Sequence, residues 1–408
     1  MSLPISATAD QNSVRKFNTA LVLDVLRRQA PVSRAEVAAF TGLNRSTISS
    51  IIGALLDEGL VQETNLQSDR VGRPGMLLRL NPAGGFAVGV EVGVDFISVI
   101  VTDFVAHVLW RQRVNSDPAD GQIPILERAF ALTQAALDEG RARNLRPLGI
   151  GVGVPGLVDQ REGMLRLAPN LGWKNTPLRL MWTQRFNMPV FVENDANAAA
   201  LGEYYFGVAR GVNMVVYLNA GVGLGGGVLI GGKLFRGSHG YAAEIGHMAL
   251  DPNGELCGCG KRGCLETMVS PRAVVRRVRR TLSQGGQSTL LPTNGEALDQ
   301  ITFDQVTETA RQGDAIALTA LQEVGNYLGI GIANLMNIFN PQMVVLGGAL
   351  NSASDILLPI VEQVVAATAL RVISEDARII PSAHGTEACV MGAVALVLDD
   401  ILREPTFA

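Results

Sequence analysis

Cysteine is scarce in this chain of 408 residues, which has four, and so few cysteines exclude a fold held together by disulfide bonds. Three of them, Cys257, Cys259 and Cys264, crowd into one short segment, a spacing that favours a metal site in a reducing compartment. Cys389 stands alone and is expected to pack in the core. Residues 1–13 lack a basic stretch followed by an apolar one, so no export signal is predicted and we expect a cytoplasmic protein.

Charge is also low, at 18% of residues, while hydrophobic residues make up 47%, a composition that excludes a mainly disordered chain. The net charge of −4 argues against a surface covered in nucleic acid. Residues 1–80 nevertheless hold nine Arg and Lys against seven Asp and Glu, a net of +2, which leaves −6 for the remainder. The uncharged stretch 213–232 is long enough to span a membrane, but its glycines favour a strand, a loop and a strand, so no membrane contact is predicted.

Residues 1–80 have the pattern of a winged-helix DNA-binding domain. Apolar positions predict a first helix over 18–29, Ser33 with Glu36 predicts a capped second helix, and Asn44 can cap a third. One face of this third helix is apolar, and the opposite face carries an arginine and short hydroxyls that can approach phosphates and base edges. We therefore predict a recognition helix with the DNA-binding residues Arg45, Ser46, Thr47, Ser49 and Ser50.

The wing is predicted as two strands, 60–64 and 76–80, around the loop 65–75. The tip of this loop places Arg70 and Arg73 among glycines and a proline, which suits insertion into a minor groove. A solvated surface hairpin is the alternative. It is less favoured because the preceding helices independently indicate DNA binding.

The body is predicted to begin after a linker over residues 81–85. Strands over 86–93, 96–103 and 105–114, a helix over 123–143 and a strand over 149–154 form one unit, and a similar strand-rich pattern returns over 213–235. Such a duplication predicts a two-lobed α/β fold with a ligand cleft between the lobes. We expect a first lobe of residues 86–195 and 388–405, and a second lobe of residues 196–387 with a metal-binding loop.

Four motifs stand in one order along the body: Gly-Val-Pro-Gly-Leu-Val-Asp at 153–159, Glu-Asn-Asp-Ala-Asn at 193–197, Glu-Ile-Gly-His at 244–247 and Cys-Gly-Cys-Gly-Lys-Arg-Gly-Cys-Leu-Glu at 257–266. Together they resemble the ROK family of repressors, open reading frames and kinases, and the resemblance covers nearly all of residues 82–400. It implies the actin-like, ribonuclease-H-like fold of sugar kinases. The winged-helix head and the Arg-Val-Gly-Arg-Pro of its wing are similar to the repressor branch of the family.

The cysteine cluster predicts a metal site independently of the resemblance to the family. Cys257, Cys259 and Cys264 supply three thiolates and His247 the fourth ligand of a closed tetrahedral site, which favours structural zinc. By analogy with family members, the second ring nitrogen of His247 could face a bound sugar. The alternative is three reduced cysteines in a glycine-rich loop.

The resemblance places Asp195 at the position of the family's catalytic base, which in the kinases takes the proton of the sugar hydroxyl. Carboxylate, amide and imidazole groups also bind sugar hydroxyls without chemistry. The expected sugar ligands are Asn170, Asn194, Asp195, Glu244, His247 and Glu266. The alternative role for Asp195 is to stabilise the N-terminus of the helix that follows it, and both roles are compatible.

The phosphate-binding motifs depart from the kinase pattern. Kinases of the family usually carry Asp-x-Gly-Gly-Thr, where this chain has Glu91, Val92, Gly93, Val94 and Asp95, and Val222 stands in place of the threonine of their second phosphate loop. A repelling carboxylate and a lost hydrogen bond both weaken ATP binding. We therefore expect no catalytic residue and no kinase activity.

The leading interpretation is a homodimeric repressor that binds double-stranded operator DNA and releases it when a monosaccharide enters the cleft. Xylose or glucose is the first candidate effector, because the layout resembles xylose-operon repressors of the family. The alternatives are an active ATP-dependent sugar kinase with a DNA-binding head and a repressor controlled by a protein partner. A basic cluster is expected to be a solvated helix face rather than a second DNA contact: Arg272, Arg276, Arg277, Arg279 and Arg280.

Overall fold

The computed structural model describes residues 11–64, 76–291 and 298–403. The head within it comprises α1 (Gln11–Gln29), β1 (Val32–Ser33), α2 (Arg34–Thr41), α3 (Arg45–Asp57), β2 (Val61–Thr64) and β3 (Leu77–Leu80). The predicted capping box is present, with Ser33 and Glu36 bonding each other's backbone, and Asn44 Oδ1 accepts from the Thr47 backbone N–H at 2.8 Å. The apolar face of α3 is buried, and the strands pair in the order β1-β3-β2. The predicted wing residues Arg70 and Arg73 lie outside the described residues.

Three details of the predicted head and body were wrong. Helix α1 begins at Gln11, earlier than the predicted residue 18, and the short strand β1 was missed. The third strand of the body begins at Val108 because residues 103–107 form a tight turn, in which Asp103 Oδ1 accepts from the backbone N–H groups of Val105 and His107. A carboxylate that satisfies two turn amides holds the chain out of the extended conformation.

The first lobe is built on a five-stranded sheet with the order β11-β7-β4-β5-β6. Strand β7 is parallel to both β4 and β11, and its residues 149–154 are buried on both faces, as expected for a central parallel strand. The elements are β4 (Phe86–Val92), β5 (Phe96–Asp103), β6 (Val108–Asn115), α4 (Gln122–Ala142), β7 (Pro147–Val154), β8 (Leu157–Asp159), β9 (Met164–Ala168), β10 (Trp173–Thr176), α5 (Leu178–Phe186) and β11 (Val190–Asn194).

The second sheet has the order β14-β13-β12-β15-β16 and repeats the mixed parallel and antiparallel pattern of the first. The strands of this sheet and the helices from residue 195 onward are α6 (Asp195–Phe206), β12 (Met214–Ala220), β13 (Leu224–Ile230), β14 (Lys233–Leu234), α7 (Leu265–Val269), α8 (Pro271–Ser283), α9 (Phe303–Arg311), α10 (Ala315–Phe339), β15 (Met343–Gly348), α11 (Ser354–Thr368), α12 (Arg371–Ser374), β16 (Arg378–Pro381) and α13 (Ala388–Arg403). The buried residues of α10, α8 and α11 share one core with the inner face of this sheet.

Helices α6 and α13 lie against each other between the two sheets. A Cβ atom on Gly392 of α13 would meet the carbonyl oxygen of Ala198 at 1.6 Å, and one on Gly202 of α6 would meet the carbonyl oxygen of Ala388 at 2.6 Å. Glycine is therefore required at both positions, because any side chain would push the two helix backbones apart. Asp195 is the first residue of α6, so this packed helix carries it at one end.

The basic residues of α8 are used within the body more than the sequence predicted. Arg277 pairs with Glu323 at 2.9 Å, Arg276 Nη2 donates to the carbonyl of Thr267 at 2.6 Å, and Arg279 Nη2 donates to the carbonyl of Ile301 at 2.9 Å. This face of α8 therefore holds neighbouring segments in place through an ion pair and hydrogen bonds. In the part of the chain that the structure describes, no helix has the length and apolarity that a membrane crossing demands.

Candidate functional site

Asp195 lies at the turn from β11 into α6, where the last residue of a parallel strand becomes the first of a helix. Asn194 is the N-cap, and its Oδ1 accepts from the backbone N–H groups of Ala196 at 2.9 Å and Asn197 at 3.0 Å. Its Nδ2 donates to Asp195 Oδ1 at 3.0 Å and to the carbonyl of Gly156 at 3.1 Å. The cap therefore fixes the carboxylate of Asp195 at a helix N-terminus, where the dipole favours negative charge.

Two residues that the sequence analysis did not select also hold this turn. Asn219, near the end of β12, donates through Nδ2 to Asp195 Oδ2 at 3.4 Å. Glu193 is buried and accepts from the Asn194 backbone N–H at 3.0 Å and from Asn197 Nδ2 at 3.2 Å, and it is paired with Arg236. The sequence signal that could have identified Asn219 and Glu193 is that each is a polar residue within an apolar strand.

A cavity of about 290 Å³ adjoins Asp195 and is lined from both lobes, with Asn219 and Val222 on one side and Glu91 and Asp95 on the other. Burial raises the pKa of Asp195, and hydrogen bonds from backbone N–H groups and from Asn194 oppose the rise. Burial and the charge of Asp195 raise the pKa of Glu91 to about 8. Glu91 Oε2 is buried and has no hydrogen-bond partner within the described part of the chain. At neutral pH the Glu91 carboxyl is therefore mainly protonated.

The predicted metal ligands meet at one point. The ligand atoms of His247, Cys257, Cys259 and Cys264 lie within 4.8 Å of one another. Cys257 Sγ is 3.6 Å from His247 Nδ1, and Cys259 Sγ is 3.7 Å from Cys264 Sγ. These separations match the edge of a tetrahedron with metal–sulfur bonds of about 2.3 Å, which is about 3.8 Å. The residues present therefore fit a four-coordinate metal ion.

Glu266 joins this cluster to the glycine loop between β12 and β13. Its Oε1 is 2.7 Å from Cys257 Sγ and 3.7 Å from His247 Nδ1, and its Oε2 accepts from the Leu224 backbone N–H at 3.4 Å. Glu244 Oε2 lies 4.0 Å from His247 Nε2. Burial raises the pKa of Glu244, and the charges of Asp195 and Glu266 raise it further, while His247 lowers it. Glu244, Glu266, His247 and Asp195 thus share one electrostatic environment.

Asn170 approaches the same place from the first lobe. A Cβ atom on Gly223 would lie 2.5 Å from Glu266 Oε2 and 3.9 Å from Asn170 Nδ2. The structure therefore gathers five of the six predicted sugar ligands into two groups, Asn194 with Asp195, and Glu244 with His247 and Glu266, and it places Asn170 near the second group.

The predicted DNA-binding residues of α3 lie on its outer face. Arg45, Ser46, Ser49 and Ser50 are exposed and Thr47 is partly buried, opposite the buried face of Ile48, Ile51, Ile52 and Leu55. Ser46 Oγ donates to Asn44 Oδ1 at 2.7 Å, which orders the first turn of the helix.

An exposed recognition helix on a winged head, carried by a two-lobed body with an acidic cleft, defines a transcriptional regulator built on a sugar-kinase fold. The chain belongs to the ROK family, whose model matches residues 87–400, and a model of the MarR family matches residues 16–70. The family and the fold class predicted from the sequence are confirmed.

Relatives and solved structures agree with this assignment. The chain is 34% identical to a xylose repressor of Caldicellulosiruptor bescii, over 97% of this chain and 98% of the relative. A solved ROK family transcriptional regulator, described as a homologue of the Escherichia coli MLC protein, superposes with a TM-score of 0.82 and 29% identity, covering 96% of this chain and 97% of that one. A ROK family glucokinase from Streptomyces griseus, solved with glucose and AMPPNP, superposes with a TM-score of 0.68 and 33% identity, covering 76% of this chain and 99% of that one.

Replacing Glu91 by Gln tests the buried carboxyl. Between the ordinary pKa of 4.5 and the folded value of about 8, the unfolded chain ionises Glu91 while the folded protein keeps it protonated. The contribution of Glu91 to the free energy of unfolding therefore falls as pH rises through this window. We expect Glu91→Gln to gain stability relative to wild type between pH 5 and pH 8, measured by denaturant unfolding across that range. Parallel pH profiles for the two proteins would contradict the raised pKa.

Proposed function

We propose that this protein is a sugar-responsive transcriptional repressor that binds operator DNA through its head and releases it when a monosaccharide occupies the cleft. The observation that carries the proposal is the presence, on one chain, of an exposed recognition helix and a cleft of carboxylate, amide and imidazole groups around Asp195. The near full-length likeness to a xylose repressor supports it. Xylose and glucose are the first effectors to test, since one relative is named for xylose and one similar structure contains glucose.

The proposed units are the head, residues 1–80, a linker, 81–85, a first lobe, 86–195 with 388–405, and a second lobe, 196–387. Arg45, Ser46, Thr47, Ser49 and Ser50 would enter the major groove, and Arg70 and Arg73 would contact the minor groove. A homodimer would place two such heads on the two half-sites of a symmetric operator.

The cleft is proposed to bind sugar without phosphorylating it. In the kinases, the phosphates need a cradle free of negative charge next to the reacting hydroxyl. Here Asp95 adds a carboxylate to the cavity beside Asp195, and Val222 brings no hydroxyl where the kinases have their second-loop threonine, although Arg113, Arg272 and Thr386 line the same cavity. Repulsion and the missing hydrogen bond both oppose nucleotide binding. The second candidate function is an active kinase, which is favoured by the position of Asp195 at a helix N-terminus in a fold shared with a glucokinase.

Zinc is the proposed metal, because three thiolates with one imidazole are a ligand set that zinc favours and leave no position for water. His247, Cys257, Cys259 and Cys264 would hold it through Nδ1 and the three sulfurs, and the bound ion would supply structural cross-linking of the loop. That orientation leaves His247 Nε2, the atom nearest Glu244, free to bond a sugar hydroxyl.

The metal site is tested by comparing two cysteine substitutions. Cys259→Ser should lose most of a content of about one zinc per chain, and it should weaken sugar binding because His247 loses its anchor. Cys389→Ser is the matched control for the zinc content alone, since Cys389 is a cysteine outside the cluster but lines the cavity beside Asp195. Metal content by mass spectrometry and sugar affinity by calorimetry provide the two measurements. Equal zinc content in both variants and the wild type would exclude the proposed ligand set.

The DNA surface is tested by comparing Arg45→Ala with Arg280→Ala. Arg45 is exposed at the start of the recognition helix, and its loss should weaken binding to the preferred operator by about 5- to 150-fold, the range for one base contact. Arg280 is exposed on α8, and its substitution should leave operator affinity unchanged. Operator titrations at fixed salt measure both. The opposite result would place the DNA surface on α8.

The sugar site and the absence of chemistry are tested together with Asp195→Asn. The variant keeps its shape but loses a charge-assisted hydrogen bond of roughly 1.5–3 kcal/mol, so sugar affinity should fall about 10- to 100-fold. The variant should still bind operator, and more sugar should be needed to release it. Asp138→Asn, an exposed carboxylate on α4, is the control with unchanged sugar affinity.

Wild-type protein with Mg-ATP and the same sugar should make no sugar phosphate, measured by coupled nucleotide assay and mass spectrometry. Robust phosphorylation that Asp195→Asn abolishes would show that Asp95 and Val222 leave the nucleotide site intact. The kinase would then replace the repressor as the function of the cleft.

A further inference from the structure

Helix α6 connects the candidate sugar site to the DNA-binding head. Asp195 is its first residue, and Tyr204 and Tyr205 lie in its last turn. At 1.5 Å per residue, Asp195 and Tyr204 lie about 14 Å apart along the helix axis. Its two ends therefore contact two different parts of the molecule.

The middle of α6 leaves no room for a local adjustment. Its residues from Ala196 to Tyr205 are all buried. The α13 backbone touches it at Gly392 and Gly202, and on the opposite side a Cβ atom on Gly225 or Gly227 of β13 would lie 2.8 Å from Ala196. A helix that is buried along this length and packed against backbone at these glycines moves as a rigid body more readily than it bends. A shift at Asp195 must then appear at Tyr204 and Tyr205.

The last turn of α6 meets the head through a set of contacts that we call the arginine latch, formed by Asp24, Arg27, Arg28, Tyr204 and Tyr205. The Arg27 guanidinium lies over the Tyr205 ring, 4.6 Å from its centre. Arg28 Nη2 donates to Tyr204 Oη at 3.0 Å. Asp24 orients both arginines from the same helix, at 2.8 Å and 3.0 Å.

The latch is bordered by a second contact and by open space. The Tyr205 hydroxyl donates to Asp399 of α13, which also pairs with Arg403. A cavity of about 260 Å³ lies beside Arg27 and Tyr205, between Leu26 of the head and Leu398 and Leu402 of α13. The junction combines these cation–π and hydrogen-bond contacts with apolar packing of α1 on α6 and α13, and the adjoining cavity gives it room to rearrange.

We propose that α6 and the arginine latch carry sugar occupancy from the cleft to the head, an inference that rests on the proposed function. Sugar bound to Asn194 and Asp195 moves the N-terminus of α6, and the rigid helix moves Tyr204 and Tyr205 under Arg27 and Arg28. Helix α1 then changes its angle on the body and takes α2 and α3 with it, since the three helices share one apolar core. The two orientations of the head differ in DNA affinity, which is the differential interaction that coupling requires.

The test measures the coupling factor, the ratio of operator affinities without and with saturating xylose or glucose, whichever releases the wild type. Arg27→Met with Arg28→Met removes the latch charges from the head side. We expect the coupling factor to fall to within about threefold of one, from a wild-type value of about 5 to 150. Sugar affinity of the DNA-free variant should stay within about twofold of wild type, because no cleft residue has changed. Tyr204→Phe, which removes only the hydroxyl that accepts from Arg28, should give a smaller loss in the same direction.

Lys16→Met is the matched control, an exposed cation on α1 outside the latch. It should keep the wild-type coupling factor even if it weakens operator binding, since a lost phosphate contact cancels in the ratio. Wild-type coupling in the double Met variant would overturn the inference and leave the proposed function standing. A wild type whose operator affinity responds to no sugar would overturn both. Loss of sugar binding in the latch variants would show that they damage the cleft, which also contradicts the proposed transmission.

Discussion

The contact between the backbones of α6 and α13 is the constraint on which the rest of the body depends. Gly202 and Gly392 allow the two helices to touch, and the sheets of both lobes pack around them. Asp195 is the first residue of α6, so it lies at one end of this packed helix, and of the two glycines only Gly392 is far from it in sequence.

The cleft concentrates carboxyl groups, and the protein offsets their repulsion in different ways. Asp195 receives two amide donors and the N-terminus of α6, while Glu193 is paired with Arg236. Glu91 has only the weaker help of Arg113 and Cys389, and because burial and the charge of Asp195 outweigh these, its carboxyl stays mainly protonated at neutral pH. A neutral carboxyl can donate a hydrogen bond as well as accept one, which suits hydroxyl-rich ligands.

The cysteine loop is bound to the body on both sides. Arg276 of α8 pairs with Glu255 of the loop at 2.5 Å, and Glu266 contacts both Cys257 and the glycine loop after β12. A metal ion held by the cluster would thereby stiffen the wall of the cleft that contains His247 and Glu266. Arg276, which was expected from the sequence to be solvated, thus helps to hold this loop in place.

The sequence alone determined the local features of this protein, because caps, turns and periodicity act over a few residues. Ser33, Glu36 and Asn44 predicted the helix starts, and the spacing of Cys257, Cys259 and Cys264 predicted the metal cluster, to which His247 comes from a nearby turn. Four ordered motifs also predicted the family. The tertiary structure decided what depends on distant pairings: Asn219 reaches Asp195 only because β12 lies beside α6, and Glu91 loses its charge only because it is buried near Asp195. It also decided that Arg27 and Arg28 meet Tyr204 and Tyr205, since no local pattern relates two side chains 176 residues apart, and only packing of the head on the body brings them together.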